Sequence, residues 1–457
     1  MPNLNQSKTG YYTFLAIFVL AIFSMGNWFE RYQSLPLILA YGSSFAAYFF
    51  IVYKSENTQT LLTTGILVRV LLFLSLPILS DDLYRFIWDG TLLKNGIHPF
   101  AELPGFYLDK NIDGIDQQLY ERLNSPNYFT IYPPLNQFIF WVSVRVGDGD
   151  WLVTANVIRL ILLVADLGSL FMLQKLLIHY GKSANLAFWY FLNPLVILEF
   201  VGNLHFEGLV IFFLLAGIYG YEKNRNWLSA SVFGLAIGTK LLPLIYLPYL
   251  FLKGLKERRW FISILAGIIG LLTFLPMLNI QFISGITGSL DLYFRSFEFN
   301  ASIYFIAREI GFWIYGYNNI ALIGPLLSIL SFLSIIAISI LGWVRKWSLP
   351  KSLLSILTVY LLFATTVHPW YILPLVAFGL LSGFWYPIVW SLLIFLTYIG
   401  YTQSGFELPA YILVIEYAIV LMILSVEIKN TPVVPKCRTI SSGQSEKFSD
   451  KSPFEGG

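Results

Sequence analysis

The 457 residues are 57% hydrophobic and 12% charged, about half the ~25% charge of a soluble domain, with a mean hydropathy of +0.68. That excludes a soluble enzyme and indicates an integral membrane protein. The net charge of +3 gives no reason to invoke nucleic acid, and the single cysteine, Cys437, supports neither a disulfide nor a cysteine metal site.

A helix crosses a bilayer with roughly 20 apolar residues and seldom with fewer than about 17. Candidate spans are 11–29, 36–53, 61–79, 152–174, 184–201, 207–221, 260–279, 318–343, 352–367, 385–402 and 409–427. The first, with only Lys8 before it and no small-x-small cleavage pattern, reads as a retained helix and not a signal peptide. Trp227–Leu252 is long enough for one tilted span, but Gly238, Lys240 and Pro243 interrupt it and predict two half-length helices around a break. Pro369–Ser382 is a further, short candidate. The expected class is an all-α polytopic membrane protein with 11–14 transmembrane helices. Ile131–Val146 starts at Pro133–Pro134 and is too short to span, so it reads as a juxtamembrane helix, as does Asn300–Tyr317. The expected organisation is two N-terminal helices (1–60), a transmembrane catalytic module (61–428) with an external loop (80–130), and a Ser-, Lys-, Pro- and Gly-rich tail (429–457) that reads as disordered.

Basic residues in short connections mark the cytoplasmic side. They cluster at Lys175/Lys182, Lys223/Arg225, Lys253/Lys256/Arg258/Arg259 and Arg345/Lys346/Lys351. The connection 80–130 carries eight acidic and four basic residues and is expected outside. The N-terminus and the tail are then expected in the cytoplasm. The outer face would collect the Asp81–Asp82 loop, Asn203–Glu207, the loop 280–300 and His368–Trp370, with the break at Lys240 opening to the same side.

The stretch Ser80–Phe100, SDDLYRFIWDGTLLKNGIHPF, places two carboxylates directly after an apolar run. On the helix that follows, Asp82, Arg85 and Asp89 share a face at spacings of three and four. Desolvation and mutual repulsion raise the pKa of paired carboxylates, which suits one as a base for a hydroxyl nucleophile. Arg85 is a candidate to hold the pair ionised or bind phosphate. The plainer reading is that Asp81 caps the helix while the other charges face water. Asn203, His205 and Glu207 lie at a turn between spans, where His205 suits a phosphate or a sugar hydroxyl; Glu199 lies inside the preceding span, where a charge is expensive and points to function. Lys240, at a helix break, is placed to meet an anionic phosphate; the alternative is a snorkelling lysine. His368 and Trp370, in His368–Pro369–Trp370–Tyr371, are candidate substrate contacts or interfacial anchors. Phe299–Asn300–Ala301–Ser302 reads as a sugar-contacting turn whose match to a glycosylation sequon is accidental. His98, His205 and His368 offer nitrogen ligands, but no HExxH or CxxC spacing, Walker loop or GxGxxG occurs. No metal or other cofactor is expected.

These residues resemble the polytopic glycosyltransferases of the GT-C class, and more narrowly the family-87 and polyprenol-phosphate-mannose-dependent alpha-mannosyltransferases. The chain is similar, more distantly, to the catalytic subunit of the first mannosyltransferase of glycosylphosphatidylinositol assembly. The resemblance covers roughly 61–400 and rests on Asp82, Phe86, Asp89, Gly96, Pro99–Phe100 and Tyr132–Leu135, then Asn193–Pro194, Gly202–Glu207, Gly234–Pro243 and His368–Tyr371. His205 and Glu207 stand where some relatives have Asn and Asp. The acidic motif is DD and not a strict D-x-D, which leaves open whether Asp81 or Asp82 is the base. The resemblance implies a GT-C fold in a bacterial inner membrane, with its active site facing outside among membrane lipids. It implies a polyprenyl-phosphate hexose donor, with mannose the hexose the family favours, and a glycan, glycolipid or lipid acceptor. Asp82 would be the base, supported by Asp81 or Asp89. Lys240, assisted by Arg85 or His205, would stabilise the leaving phosphate. Asn203 and Glu207 would help bind substrate, and His368 and Trp370 would line the sugar or lipid-head pocket. A transporter or flippase of lipid-linked sugars is the alternative, but no internal repeat is seen. A polysaccharide polymerase would place its catalytic residues on a large late loop, whereas the longest external loop here is early and acidic.

Overall fold

In the computed structural model, residues 4–55, 57–285, 287, 297–403 and 405–430 are described. The tail beyond Asn430, and residues 286 and 288–296 of the loop 280–300, lie outside them. The described chain is an all-α polytopic membrane protein. Among the described residues five helices are long and apolar enough to cross a bilayer unbroken: Gly10–Asn27, Ser34–Lys54, Trp151–His179, Ile320–Val344 and Ala410–Asn430. Ala184–Phe191 and Pro194–Gly202 form a sixth candidate, bent by 61°. Other expected spans are shorter apolar helices, among them Phe261–Met277, Leu349–Phe363 and Pro369–Ser382.

Helices α1 (Leu4–Asn27) and α2 (Ser34–Lys54) pack as a hairpin. Its residues Phe18, Tyr41 and Tyr48 enter the same core as Phe191, Leu195 and Phe395. The Tyr41 hydroxyl donates to the Ser391 carbonyl and that of Tyr48 to the Trp189 carbonyl, both at 2.5 Å. Helix α3 (Thr58–Leu71) extends in a short 3₁₀ turn to Leu74. The expected span 61–79 therefore stops early. Ser75 is extended, and the segment from there to Asp81, with Pro77, is irregular.

Helix α4 (Asp82–Lys94) begins the long connection, α5 (Gln117–Glu121) lies within it, and α6 (Pro134–Gly147) closes it. Helix α6 has 14 residues, as the juxtamembrane reading expects. Phe86 stacks on Phe140 with centroids 4.4 Å apart. A Cβ at Gly90 would lie 2.6 Å from the Phe140 carbonyl oxygen, so the α4–α6 contact requires a residue without a side chain there.

Helix α7 (Trp151–His179) leads to two single turns, α8 (Phe188–Phe191) and α9 (Pro194–Ile197). Asn193 caps α9 through its side chain, and Pro194 follows at the first helical position. The chain then widens into a π turn, Leu198–Gly202, of the kind found at functional sites. Arg159 of α7 donates to the Val201 carbonyl at 3.0 Å and so anchors that turn.

Helix α10 (Glu207–Glu222) has 16 residues, about 24 Å at 1.5 Å per residue. Its far end gathers the basic connections. Arg259 donates to the Tyr221 carbonyl and the Asn224 side chain, Lys253 pairs with Glu257, and Tyr180 bonds Glu222. Helix α11 (Asn226–Thr239) ends at Lys240, which is fully extended, before a 3₁₀ turn and α12 (Leu247–Glu257). The break predicted at Lys240 is therefore present. Helices α13 (Phe261–Leu272), α14 (Ile303–Tyr315), α15 (Ile320–Val344), α16 (Leu349–Phe363), α17 (Leu373–Ser382), α18 (Tyr386–Leu393) and α19 (Ala410–Asn430) complete the described bundle.

Arg69 of α3 and Asp166 of α7 form an ion pair at 2.6 Å with both side chains fully buried. Arg69 also donates to the Gly65 and Phe191 carbonyls. Removing one partner of such a pair costs about 3–5 kcal/mol because it strands a buried charge. Asp166→Ala is expected to reduce the thermal stability of the detergent-solubilised protein sharply, and adding Arg69→Met is expected to restore part of it. Detergent size-exclusion after heating measures both.

Candidate active site

Asp82 opens α4, where its charge is favoured by the helix dipole. Its Oδ1 accepts from Asn124 Nδ2 at 2.7 Å, and its Oδ2 accepts from the Tyr132 hydroxyl at 3.0 Å. His205 Nε2 faces the same Oδ2 at 3.5 Å and Ser80 Oγ at 3.4 Å. The other ring nitrogen, Nδ1, donates to Glu199 Oε2 at 2.8 Å, and Asn203 Nδ2 donates to that oxygen at 3.0 Å. Tyr398 reaches Glu199 Oε1 at 3.4 Å. A carboxylate, an imidazole and a second carboxylate are thus held in line. Leu204, at φ 66°, turns the chain sharply between Asn203 and His205.

Burial by itself raises the Asp82 carboxyl, but His205 and then Tyr132 outweigh it and hold the group below its ordinary value. Burial lowers the His205 imidazole, but hydrogen bonds and charge from Asp82 and Glu199 outweigh this and set it at about 9. At neutral pH the site therefore contains an imidazolium between two carboxylates. One lone-pair direction of Asp82 Oδ1 is left for a further donor.

Aromatic rings continue the site. The His205 ring stacks on Trp370 with centroids 3.6 Å apart, and Trp370 stacks on His368 at 4.4 Å. Phe299 packs against His368 at 4.4 Å. Burial lowers His368 to about 3, so its ring is neutral. Its Nδ1 is buried without a hydrogen-bond partner among the described residues. Lys240 pairs with Glu207, at the start of α10, and its Nζ lies 4.2 Å from the centroid of Tyr371. Its side chain is one-third exposed.

The structure brings Asp82, Asn203, His205, Glu207, Lys240, His368 and Trp370 into one neighbourhood. Asp81, Arg85 and Asp89 take other parts. Asp81 makes no capping bond; it pairs with Arg31 at 2.5 Å, while Ser80 Oγ accepts from the Asp82 amide. Arg85 donates to Asp89 Oδ1 at 2.9 Å and to the Tyr128 carbonyl at 3.0 Å; Asp89 Oδ2 accepts from Gln137 at 2.8 Å. Both are buried and satisfied. They anchor the segment that carries Asn124. The turn at Phe299–Ser302 also differs from expectation. Asn300 is fully buried and its amide donates to Glu416, so only Phe299 of that turn reaches the site.

Asn124, Tyr132 and Arg31 owe their places to contacts 42, 50 and 50 positions away in sequence. Tyr132 lay in a motif, but its bond to Asp82 had no local signal. Among the described residues no group of three His, Cys, Asp or Glu side chains converges as a metal-ligand set.

Residues 13–254, more than half of the chain, match the family model described as the N-terminal domain of alpha-(1->6)-mannopyranosyltransferases. The chain belongs to the MptA_B family. It is 28% identical over 216 residues to alpha-(1->6)-mannopyranosyltransferase A of Mycobacterium tuberculosis, over 46% of this chain and 40% of that protein. It is 24% identical over 222 residues to the protein of the same name from Corynebacterium glutamicum, over 47% and 44%. The chain thus spans less than half the length of these curated relatives in the match. No solved structure matches it. The part matching the MptA_B model contains Asp82, Glu199, His205 and Lys240, whereas His368 and Trp370 lie beyond it.

The His205 assignment is testable without a substrate. Its folded value lies above the ordinary 6.5, so the imidazolium is complete below that pH and is lost as pH rises through about 9. Nitrogen-15 histidine spectra are expected to show one imidazole titrating near 9, moving downward in Asp82→Asn. A value near 6.5 in the wild type would contradict the arrangement.

Proposed function

We propose that this chain is a GT-C-type mannosyltransferase that moves mannose from a polyprenyl-phosphate donor to an acceptor hydroxyl, with inversion at the anomeric carbon. The observation that carries the reading is Asp82, ionised, gripped by Asn124, Tyr132 and His205, with 18% of its side chain still exposed. Membership of the MptA_B family supports mannose as the sugar, and the relatives' α-(1→6) linkage is the one to test first.

In the proposed step the acceptor hydroxyl donates to Asp82. Its oxygen attacks the anomeric carbon as the bond from that carbon to the phosphate oxygen breaks. The proton passes to Asp82, and the bonding electrons leave with polyprenyl phosphate. A single displacement inverts configuration. The His205 imidazolium, steadied by Glu199, fixes the carboxylate's orientation. Lys240 retains donors beyond its bond to Glu207 and faces the leaving phosphate. The Trp370 face and His368 Nδ1 suit a sugar ring and one of its hydroxyls. His205 thus serves the base, whereas the sequence alone suits it to a phosphate or a sugar hydroxyl.

Sidedness follows from charge. The site sits at the Glu207 end of α10 and the basic connections at the other end, about 24 Å away. The positive-inside rule supports a cytoplasmic position for those connections and an extracytoplasmic one for Asp82. A bacterial inner membrane fits the mycobacterial and corynebacterial relatives.

In proteoliposomes with polyprenyl-phosphate mannose and α-(1→6)-mannotriose, Asp82→Asn is expected to lose about 100-fold or more of the transfer rate. Full activity would refute the base assignment. Lys240→Ala is expected to raise the apparent KM for donor about tenfold, the loss of one charge-assisted bond, while leaving that for acceptor alone. A cysteine at Asp113 is expected to react with an impermeant reagent from outside the cell; reaction only from the cytoplasm would overturn the topology.

A further inference from the structure

A cavity opens beside the start of α4, lined by Asp81 and by Asn124, the residue that bonds Asp82. It is a cleft of about 410 Å3 between the α1–α2 turn, the start of α4 and the segment Glu121–Asn124. Arg31, Asp81, Glu121, Arg122 and Asn124 supply its polar groups, and Tyr84 is its aromatic wall. Two guanidinium groups and two carboxylates cancel in formal charge. A phosphate would find no net attraction there, and a prenyl chain would find little apolar wall. Its size falls in the ~300–1,000 Å3 range of ligand pockets.

The groups are held ready. Arg122 donates to the Tyr84 hydroxyl at 3.0 Å and lies over the rings of Tyr84 and Trp151, at 5.3 and 5.9 Å from their centroids. Arg31 is pinned by Asp81 and by the face of Tyr401. Planar polar side chains beside an aromatic ring suit a polyhydroxylated ring, whose hydroxyls both donate and accept. Asn124 links the cleft to Asp82. Its side chain lines the cleft, and its Nδ2 bonds Asp82 Oδ1, the oxygen with a vacant lone-pair direction.

We propose that this cleft binds the acceptor as a neutral glycan end and delivers its terminal hydroxyl past Asn124 to Asp82. The proposal rests on the transferase reading and gives the two sides of Asp82 different tasks: donor toward Lys240 and Trp370, acceptor toward Arg31 and Arg122. It also gives the N-terminal hairpin a role, since Arg31 is its contribution to the cleft.

The test is binding of α-(1→6)-mannotriose to the full chain in phospholipid nanodiscs, by saturation-transfer NMR and calorimetry, with transfer kinetics on the same preparations. Wild type is expected to bind the trisaccharide. Arg122→Ala and Arg31→Ala, on separate elements, are each expected to weaken binding about tenfold and to raise the acceptor KM alike, with the donor KM unchanged. An unchanged donor KM also shows that the variants are folded. No binding by wild type, or binding indifferent to both substitutions, would overturn the cleft assignment. Wild-type transfer separates this result from the proposed function: transfer with an indifferent cleft removes only the cleft, whereas binding without transfer removes only the transferase.

Discussion

The site depends on a line of three ionisable groups, Glu199, His205 and Asp82, at the edge of an apolar bundle. Each would be costly there alone. Together they satisfy one another: Glu199 accepts from His205 Nδ1, and His205 Nε2 faces Asp82. Glu199 and His205 are nearly inaccessible, while Asp82 keeps 18% of its side chain exposed. The interior members of the line thus support a charge that is open only at its last member.

Broken helices make this geometry possible. A straight helix through Ala184–Gly202 would carry its polar groups past one another, but the bend at Asn193, the π turn and the left-handed Leu204 fold Glu199 and Asn203 back onto His205. The break at Lys240 similarly brings a lysine to the first turn of α10 and the face of Tyr371. Such departures from regular backbone are tolerated at membrane depth where protein covers them. Arg159, bonded to Val201 and Gly202, supplies part of that cover.

Local features were legible in sequence. The Lys240 break followed from Gly238 and Pro243 within one apolar run, and Asp82 from its place after another. Glu199 stood out as a charge inside a span. The partners were not legible, because the contacts that give them meaning join residues tens to hundreds of positions apart. Arg85 and Asp89 show the reverse problem. Their i,i+4 spacing is visible in sequence, but that they are buried as partners of each other is not. Asn300 reads as a polar turn in sequence because nothing nearby reveals Glu416, 116 residues on. The expected 11–14 spans exceed the five, or six with the bent pair, that are long and apolar enough to cross among the described residues, since composition records apolarity but not where a helix breaks.

The most direct test of the central claim is the pH dependence of kcat/KM for mannosyl transfer, in the wild type and in Glu199→Gln. The account predicts an alkaline limb near pH 9, set by loss of the His205 imidazolium. Removing the Glu199 charge should move that limb to lower pH while the protein remains folded. A limb at the same pH in both proteins would contradict the claim that Glu199 acts on Asp82 through His205.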